Sequence, residues 1–328
     1  MLGIIFIVII LTGSILLIFL VFSRSDKEGY GNEVAIVLKE LREKGVKPVP
    51  RKNFELKDKA IWAWGSTVRN IGINKTINIL LEANIKHIFL LVKGVSGSVV
   101  KEIILEILPI AHRNGIYVHA WIVCFNDKSH SYSRPDSHEY RLYLLRIIAD
   151  FLLLNSSNNF VDGIHLDYIR YPGNGDWKSV SSFVNETRIL IDSIAPGTFL
   201  SIASKAESYS SKIDLAESAL YYGQNYTDLA RYVDLFCPMT YHRDYGVDPS
   251  SVGIAAKWVK ELTHRKVFAG IQLHPDSSNI FPSKDEVREA LNSCLNKDIN
   301  GIIFFSLEHL VNKINEYLSI IKSFKMDG

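Results

Sequence analysis

Cysteine is scarce in this chain: three occur among its 328 residues, and none belongs to a CxxC pair. The sequence therefore describes neither a disulfide framework nor a zinc site, because both need several cysteines at characteristic spacings. We interpret Cys124, Cys237 and Cys294 as buried free thiols, since unpaired cysteine is among the residue types most often buried.

An excess of charge of one sign is also missing. The 37 Lys and Arg residues nearly balance the 35 Asp and Glu residues, which leaves a formal charge of +2. Proteins that bind nucleic acid usually concentrate positive charge on one face, so we expect no nucleic-acid partner. Low-complexity tracts are absent and 47% of the residues are hydrophobic, which excludes a disordered chain.

The first 23 residues contain no charged side chain, and Leu2 to Phe22 is almost continuously apolar. A helix of that stretch is roughly 32 Å long at about 1.5 Å per residue, enough to cross a bilayer core. A signal peptide would add a basic start and a small-residue cleavage site. We therefore expect an uncleaved transmembrane anchor over residues 1–23, with the lipid bilayer as partner, followed by a juxtamembrane helix and linker over residues 24–56.

From residue 57 to residue 328 the sequence alternates short apolar runs with longer stretches of helical spacing, eight times over. This pattern and length predict a (β/α)₈ TIM barrel. An open nucleotide-binding sheet is disfavoured, because no GxGxxG turn follows the first strand. The predicted strands are Ala60–Trp64, His87–Val92, Ile116–Val123, Gly163–Tyr168, Phe199–Ala203, Leu235–Met239, Val267–Gln272 and Gly301–Ser306. The predicted helices are Thr76–Asn84, Val99–Asn114, Tyr140–Leu154, Ser179–Ile194, Tyr226–Tyr232, Pro249–Thr263, Lys284–Leu295 and Glu308–Phe324.

The fourth strand carries the clearest functional signal. Because side chains alternate along a strand, His165 and Asp167 share one face and Ile164 and Leu166 share the other. Polar residues on a face that fills a barrel are costly unless they have a role. Asp167 also falls at the carboxyl end of its strand, where barrel active sites lie. Asp162, at the start of the strand, is interpreted as structural.

Here the sequence resembles a known family. The segment DGIHLDYIRYP is similar to the fourth-strand signature of the uncharacterised family-10-like group of glycoside-hydrolase-like barrels, and more remotely to family 18 chitinases. The segments VHAWIVCFND, VDLFCPMTYHRDYG and GIIFFSLEHL resemble the third, sixth and eighth strands of these families, and the likeness covers roughly residues 57 to 310. It implies a TIM barrel that hydrolyses glycosidic bonds without a cofactor or resident metal.

One departure from the chitinase pattern limits the mechanism. The glutamate that ends the chitinase motif corresponds to Ile169, and the aspartate after the Met-Thr-Tyr segment is replaced by His242. Isoleucine cannot donate a proton. Substrate-assisted hydrolysis by that constellation is therefore disfavoured, and Asp167 becomes a principal carboxylate.

Glycosidases normally use two carboxyl groups across the sugar, about 5 Å apart for retention and about 6.5–9.5 Å for inversion. We expect Asp167 to be the nucleophile and Asp244, after the sixth strand, to be the acid/base. Spacing leaves other choices for the second carboxylate open. These are Asp127, Glu308 and Glu207, which follow the third, eighth and fifth strands.

Substrate-binding residues are expected among the remaining side chains near strand ends. Aromatic rings stack on the flat faces of sugars, which favours Trp121 and Tyr241. The side chains expected to bind hydroxyl groups or to tune Asp167 are His119, His165, Arg170, His242 and Gln272.

These assignments predict a single-pass membrane glycoside hydrolase that acts on a polysaccharide or surface glycan, with its barrel on the extracytoplasmic side. Two alternatives remain open. One is a barrel that binds a glycan without cleaving it. The other is an amidase or deacetylase with a metal held by His119, Asp167 and His242.

Overall fold

The computed structural model describes residues 32–52, 54–171 and 176–326. The anchor predicted over residues 1–23 lies outside these ranges. Among the residues that are described, no helix has both the length and the apolar character needed to span a bilayer.

Eight parallel strands form a closed barrel in which each strand pairs with the next and the last pairs with the first. The predicted TIM barrel is therefore confirmed. The strands are β1 Asp58–Trp64, β2 Ile85–Lys93, β3 Tyr117–Val123, β4 Gly163–Asp167, β5 Phe199–Ser204, β6 Leu235–Pro238, β7 Lys266–Gln272 and β8 Gly301–Phe305. Every predicted strand is present.

Helices cover the outside of the barrel. They are α1 Asn32–Glu43, α2 Gly65–Ile71, α3 Ile73–Glu82, α4 Glu102–Arg113, α5 His138–Leu153, α6 Trp177–Ile194, α7 Lys212–Tyr221, α8 Tyr226–Leu229, α9 Ser251–Thr263, α10 Lys284–Ser293, α11 Leu307–Asn312 and α12 Ile314–Ser323. Two of them, α2 and α7, were not predicted. The single helix expected after β8 is divided into α11 and α12.

Alternation along the strands separates two apolar cores. Inward-facing side chains, including Trp62, Phe89 and Trp121, fill the barrel itself. Outward-facing side chains, including Ile164 and Leu166, pack beneath the helices. The predicted division of β4 into an apolar outer face and a polar inner face is therefore correct.

The segment before β1 braces the barrel. Helix α1 packs against α5 and α6, and the chain after it runs past the end of α6, where Val49 N–H donates to the carbonyl of Ile194 at 2.9 Å. Phe54 then stacks on Tyr117 with ring centroids 3.8 Å apart. Phe54 thereby covers part of the amino end of the barrel.

Candidate active site

Asp167 is the last residue of β4 and is buried at the carboxyl end of the barrel. Its Oδ2 accepts a hydrogen bond from the indole Nε1 of Trp121 at 3.1 Å, and its Oδ1 accepts one from the backbone N–H of Tyr168 at 2.6 Å. Burial raises the pKa of Asp167 above its ordinary value, although the charges of Arg170 and Lys205 and both hydrogen bonds act in the opposite direction. The carboxyl group is thus held in one orientation and retains its proton more readily than a solvated one.

Aromatic rings surround this carboxyl group. Trp121 and Tyr241 both contact Phe305, the last residue of β8, with ring centroids 6.2 and 5.7 Å apart. Burial, followed by the charges of Tyr245, Asp167 and Asp244, raises the pKa of Tyr241 well above its ordinary value. Tyr241 therefore lies within the field of both predicted catalytic carboxylates.

Asp244 lies on the loop after β6, with its side chain 34% exposed. Its Oδ1 accepts a hydrogen bond from Nε2 of Gln272 at 2.9 Å, and its Oδ2 lies 2.9 Å from Nε2 of His274. Gln272 is itself buried and accepts the backbone N–H of Arg243 at 2.9 Å. Gln272 thus orients Asp244 from the end of β7.

Two cations lie on the neighbouring loops. Lys205, directly after β5, forms an ion pair with Glu207. Arg170, three residues beyond the end of β4, places its guanidinium 3.8 Å from the ring centroid of Tyr168. Both charges act on Asp167, so both side chains belong to the same site.

His119 and His165, which were expected to contact substrate, lie inside the barrel and are fully buried. Nε2 of His165 accepts from Trp62 at 3.0 Å, and its Nδ1 lies 2.9 Å from Oγ of Ser201. His119 stacks on Phe89 with centroids 4.3 Å apart. These contacts place the two histidines beneath Asp167, as part of the barrel filling.

Gly163, two residues before His165, leaves space for the ring of His119 inside the barrel. A Cβ atom at Gly163 would lie 2.2 Å from Nδ1 of His119. Only a residue without a side chain leaves room for the imidazole there. Burial lowers the pKa of His165 to about 3 and that of His119 well below its ordinary value, so both rings are neutral.

His242 is buried between the loop after β6 and α10. Neither ring nitrogen has a hydrogen-bond partner among the described residues, and Nε2 lies 4.0 Å from Oε1 of Glu286. Burial lowers the pKa of His242 to about 4. The part of the chain that the structure describes contains no group of three potential ligands for a metal ion, so it does not assemble His119, Asp167 and His242 into a metal site.

Among the alternatives for the second carboxylate, Asp127 is occupied by a structural ion pair. Its Oδ2 lies 2.9 Å from Nζ of Lys93, with both side chains fully enclosed, and also accepts from Tyr140 at 3.0 Å. Burial opposes ionisation, but hydrogen bonds from Ser129 and Lys93 outweigh it and hold the pKa of Asp127 well below its usual range.

The remaining alternatives differ in exposure and in bonding. Glu207 has both oxygens engaged, one by Lys205 and the other by Tyr222 at 2.6 Å. Glu308 is exposed and is approached by the hydroxyl of Thr67 at 3.5 Å. Asp162, interpreted as structural, accepts the backbone N–H of Val118 at 2.7 Å, as expected.

Comparison with known proteins rests on structure alone. No family model matches the chain, and no curated protein matches it. The glycoside hydrolase domain of PgaB (BpsB) from Bordetella bronchiseptica superposes with a TM-score of 0.66 at 8% identity, over 83% of this chain and 99% of that one. This chain therefore shares the barrel fold of that domain.

Two further solved structures share the fold. The spore cortex-lytic enzyme SleL of Bacillus cereus matches with a TM-score of 0.57 at 12% identity, over 83% of this chain and 75% of that one. A chitinase from Rhizomucor miehei matches with a TM-score of 0.57 at 12% identity, over 82% of this chain and all of that one. The resemblance expected from the fourth-strand motif is therefore supported at the level of fold.

Two residues of the site, Lys205 and His274, escaped the sequence analysis. Each lies one or two residues beyond the end of a predicted strand, β5 and β7 respectively. A search of all charged and imidazole side chains in that position would have included them. Their partners Glu207 and Asp244 would still have been ambiguous, because loop contacts depend on loop conformation.

Proposed function

We propose that this protein is a membrane-anchored glycoside hydrolase that cleaves O-glycosyl bonds in a polysaccharide or surface glycan. The observation that carries the proposal is Asp167, a buried carboxyl group at the active end of a glycosidase-type barrel, fixed by Trp121. The aromatic cluster of Trp121, Tyr241 and Phe305 supports it, because such rings suit the flat faces of sugars.

The environments of the two carboxyl groups suggest their roles. Glycosidases combine a carboxylic acid that keeps its proton with a second group that is ionised. Asp167 is buried, with its pKa raised, which suits a proton donor. Asp244 is partly exposed and accepts from Gln272, which suits a carboxylate. We therefore exchange the roles expected from the sequence, where Asp167 was the nucleophile and Asp244 the acid/base.

In the proposed reaction, Asp167 donates its proton to the glycosidic oxygen as the bond from that oxygen to the anomeric carbon breaks. Positive charge develops on the sugar ring, and the carboxylate of Asp244 stabilises it. A water molecule supplies the hydroxyl group of the new reducing end and the proton that returns Asp167 to its starting state. Tyr241, near both carboxyl groups, would position the sugar between them.

Release of reducing ends from a panel of polysaccharides tests this proposal. The purified full-length chain, in mild detergent because of the predicted anchor, is compared with Asp167→Asn. Asparagine keeps the shape and still accepts from Trp121 but cannot donate the proton. We expect release by the wild type and none by Asp167→Asn. Asp150→Asn, on an exposed ion pair with Lys101, is the matched control and should release reducing ends as the wild type does.

Other outcomes assign the site differently. Equal release by wild type and Asp167→Asn would move the catalytic acid elsewhere. Glycan binding without release by either protein would identify a glycan-binding barrel and contradict the hydrolase.

The membrane side is tested separately. We place the barrel outside the cytoplasm because surface glycans lie there, although the basic residues after the apolar segment favour the cytoplasm weakly. Protease added to intact cells should then digest the barrel. Protection of the barrel until the cells are lysed would contradict this placement.

A further inference from the structure

Arg170 is a charged side chain at the mouth of the site that has no anionic partner among the described residues. Its guanidinium makes no hydrogen bond or ion pair with them; its close contact is with the ring of Tyr168, 3.8 Å from the centroid. Arg170 acts on the charge of Asp167 through space, yet no ion pair joins them. Stacking on Tyr168 fixes the plane of the guanidinium and leaves its N–H groups free.

Lys205 places a second positive charge beside Arg170. Its ammonium lies 4.8 Å from the ring centroid of Tyr222 and 5.6 Å from that of Tyr245. Burial lowers the pKa of Lys205, and the neighbouring charge of Arg170 lowers it further, against the raising effect of Glu207. Glu207 compensates the charge of Lys205, whereas Arg170 has no such ion pair among the described residues.

The carboxylates near this pair are already engaged. Glu207 gives one oxygen to Lys205 and the other to Tyr222, while Asp244 accepts from Gln272 and contacts His274. The two oxygens of Asp167 accept hydrogen bonds from Trp121 and from the backbone N–H of Tyr168, and no ion pair joins Asp167 to Arg170. The charge of Arg170 is therefore the one in this cluster that the described residues leave unmatched.

We infer that Arg170, with Lys205 beside it, binds the carboxylate of an acidic sugar unit, so that the substrate is a uronate-containing glycan. The inference rests on the proposed function, because it assigns a substrate class to the same site. A planar guanidinium matches a carboxylate with two parallel hydrogen bonds, which a lone ammonium cannot do.

Binding to Asp167→Asn tests the inference without requiring turnover. The full-length variant is titrated with hyaluronan, alginate and polygalacturonate, and with the carboxyl-reduced form of each polymer. We expect at least one polyuronate to bind on the order of 10- to 100-fold more tightly than its reduced form, the range expected for a charge-assisted hydrogen bond. Adding Arg170→Gln should remove that preference.

Arg231→Gln is the matched control. Arg231 also lies over a tyrosine, with its guanidinium 5.3 Å from the ring centroid of Tyr232, but it precedes β6 at the opposite end of the barrel. Its substitution should leave the preference for polyuronates intact. Dextran sulfate provides a polyanion without carboxylates.

The outcomes separate this inference from the proposed function. Equal affinity for a polyuronate and its reduced form, or for dextran sulfate, would overturn the carboxylate site. Hydrolysis of a neutral glycan by the wild type, with no binding of any polyuronate, would do the same and leave the hydrolase standing. Arg170-dependent binding of a polyuronate that is never cleaved would support this site and contradict the hydrolase.

Discussion

Replacement of Glu186 by glutamine should change how the stability of this protein depends on pH. Glu186 lies on α6, fully enclosed, and its Oε2 accepts from Arg141 at 2.7 Å. Oε2 of Glu33 on α1 lies 3.9 Å from Nη2 of the same Arg141, and Glu33 also contacts His138. Two carboxyl groups thus share one buried guanidinium where the brace helix meets the barrel.

The pKa of Glu186 is raised to about 8 from an ordinary 4.5; burial is the main cause and Glu33 adds to it, while Arg141 acts in the opposite direction. Between the ordinary pKa of 4.5 and the raised pKa of about 8, Glu186 is therefore protonated in the folded protein and ionised in the unfolded chain. The contribution of Glu186 to the free energy of unfolding is fully present at low pH and is lost as the pH rises toward about 8. The difference corresponds to at most about 5 kcal/mol, and the lowered pKa of Glu33 offsets part of it.

Glutamine mimics the protonated carboxyl group and cannot lose a proton. We expect the free energy of unfolding of Glu186→Gln, relative to wild type, to increase by at least about 2 kcal/mol between pH of about 5 and about 8.5. Urea unfolding followed by tryptophan fluorescence measures it. Glu40→Gln, on a partly exposed ion pair with Arg146 in the same interface, is the control and should differ from wild type by less than about 1 kcal/mol. A difference between Glu186→Gln and wild type that does not vary with pH would refute the reasoning.

Three further predictions concern the site and its support. Asp167→Asn should lower activity by about 10²- to 10⁴-fold, as loss of a general acid does, without lowering the melting temperature by calorimetry, because a buried ionisable group is removed; a large loss of stability would contradict this. Arg170→Gln should move the basic limb of kcat/KM on a neutral glycan to higher pH, because Arg170 lowers the pKa of Asp167 and a proton donor acts below its pKa; an unchanged limb would contradict that role. Lys93→Met should destabilise the barrel by about 3–5 kcal/mol in denaturant unfolding, because Asp127 would remain buried and unpaired; a loss below about 1 kcal/mol would show that solvent reaches Asp127.

Local patterns were sufficient for the architecture. Each strand combines apolar residues with period-two alternation, so the strands and the polar inner face of β4 were predictable within short windows. The helices α2 and α7 were missed because their signals are weak: α2 spans seven residues, and α7 buries only Leu215 and Ala219. Helical spacing without a broad apolar face resembles a loop.

The contacts of the candidate site were not predictable in this way. Asp127 follows a strand just as Asp244 does, yet it forms a buried ion pair with Lys93, which lies 34 positions earlier in the chain. His119 and His165 alternate correctly toward the barrel axis, but their depth puts them beneath the site. The pattern of a single sequence predicts which face of a strand a side chain occupies. It does not predict how deep in the barrel the side chain lies or which residue of another strand it contacts.

Residue spacing along single chain segments was enough to predict a (β/α)₈ barrel with Asp167 at the carboxyl end of β4. Which side chains meet there depends on contacts between segments that are distant in sequence. Closure of the barrel brings Gln272 to Asp244 and Trp121 to Asp167. It also buries Asp167 enough to raise its pKa, since desolvation depends on every element packed around a group and not on its neighbours in sequence.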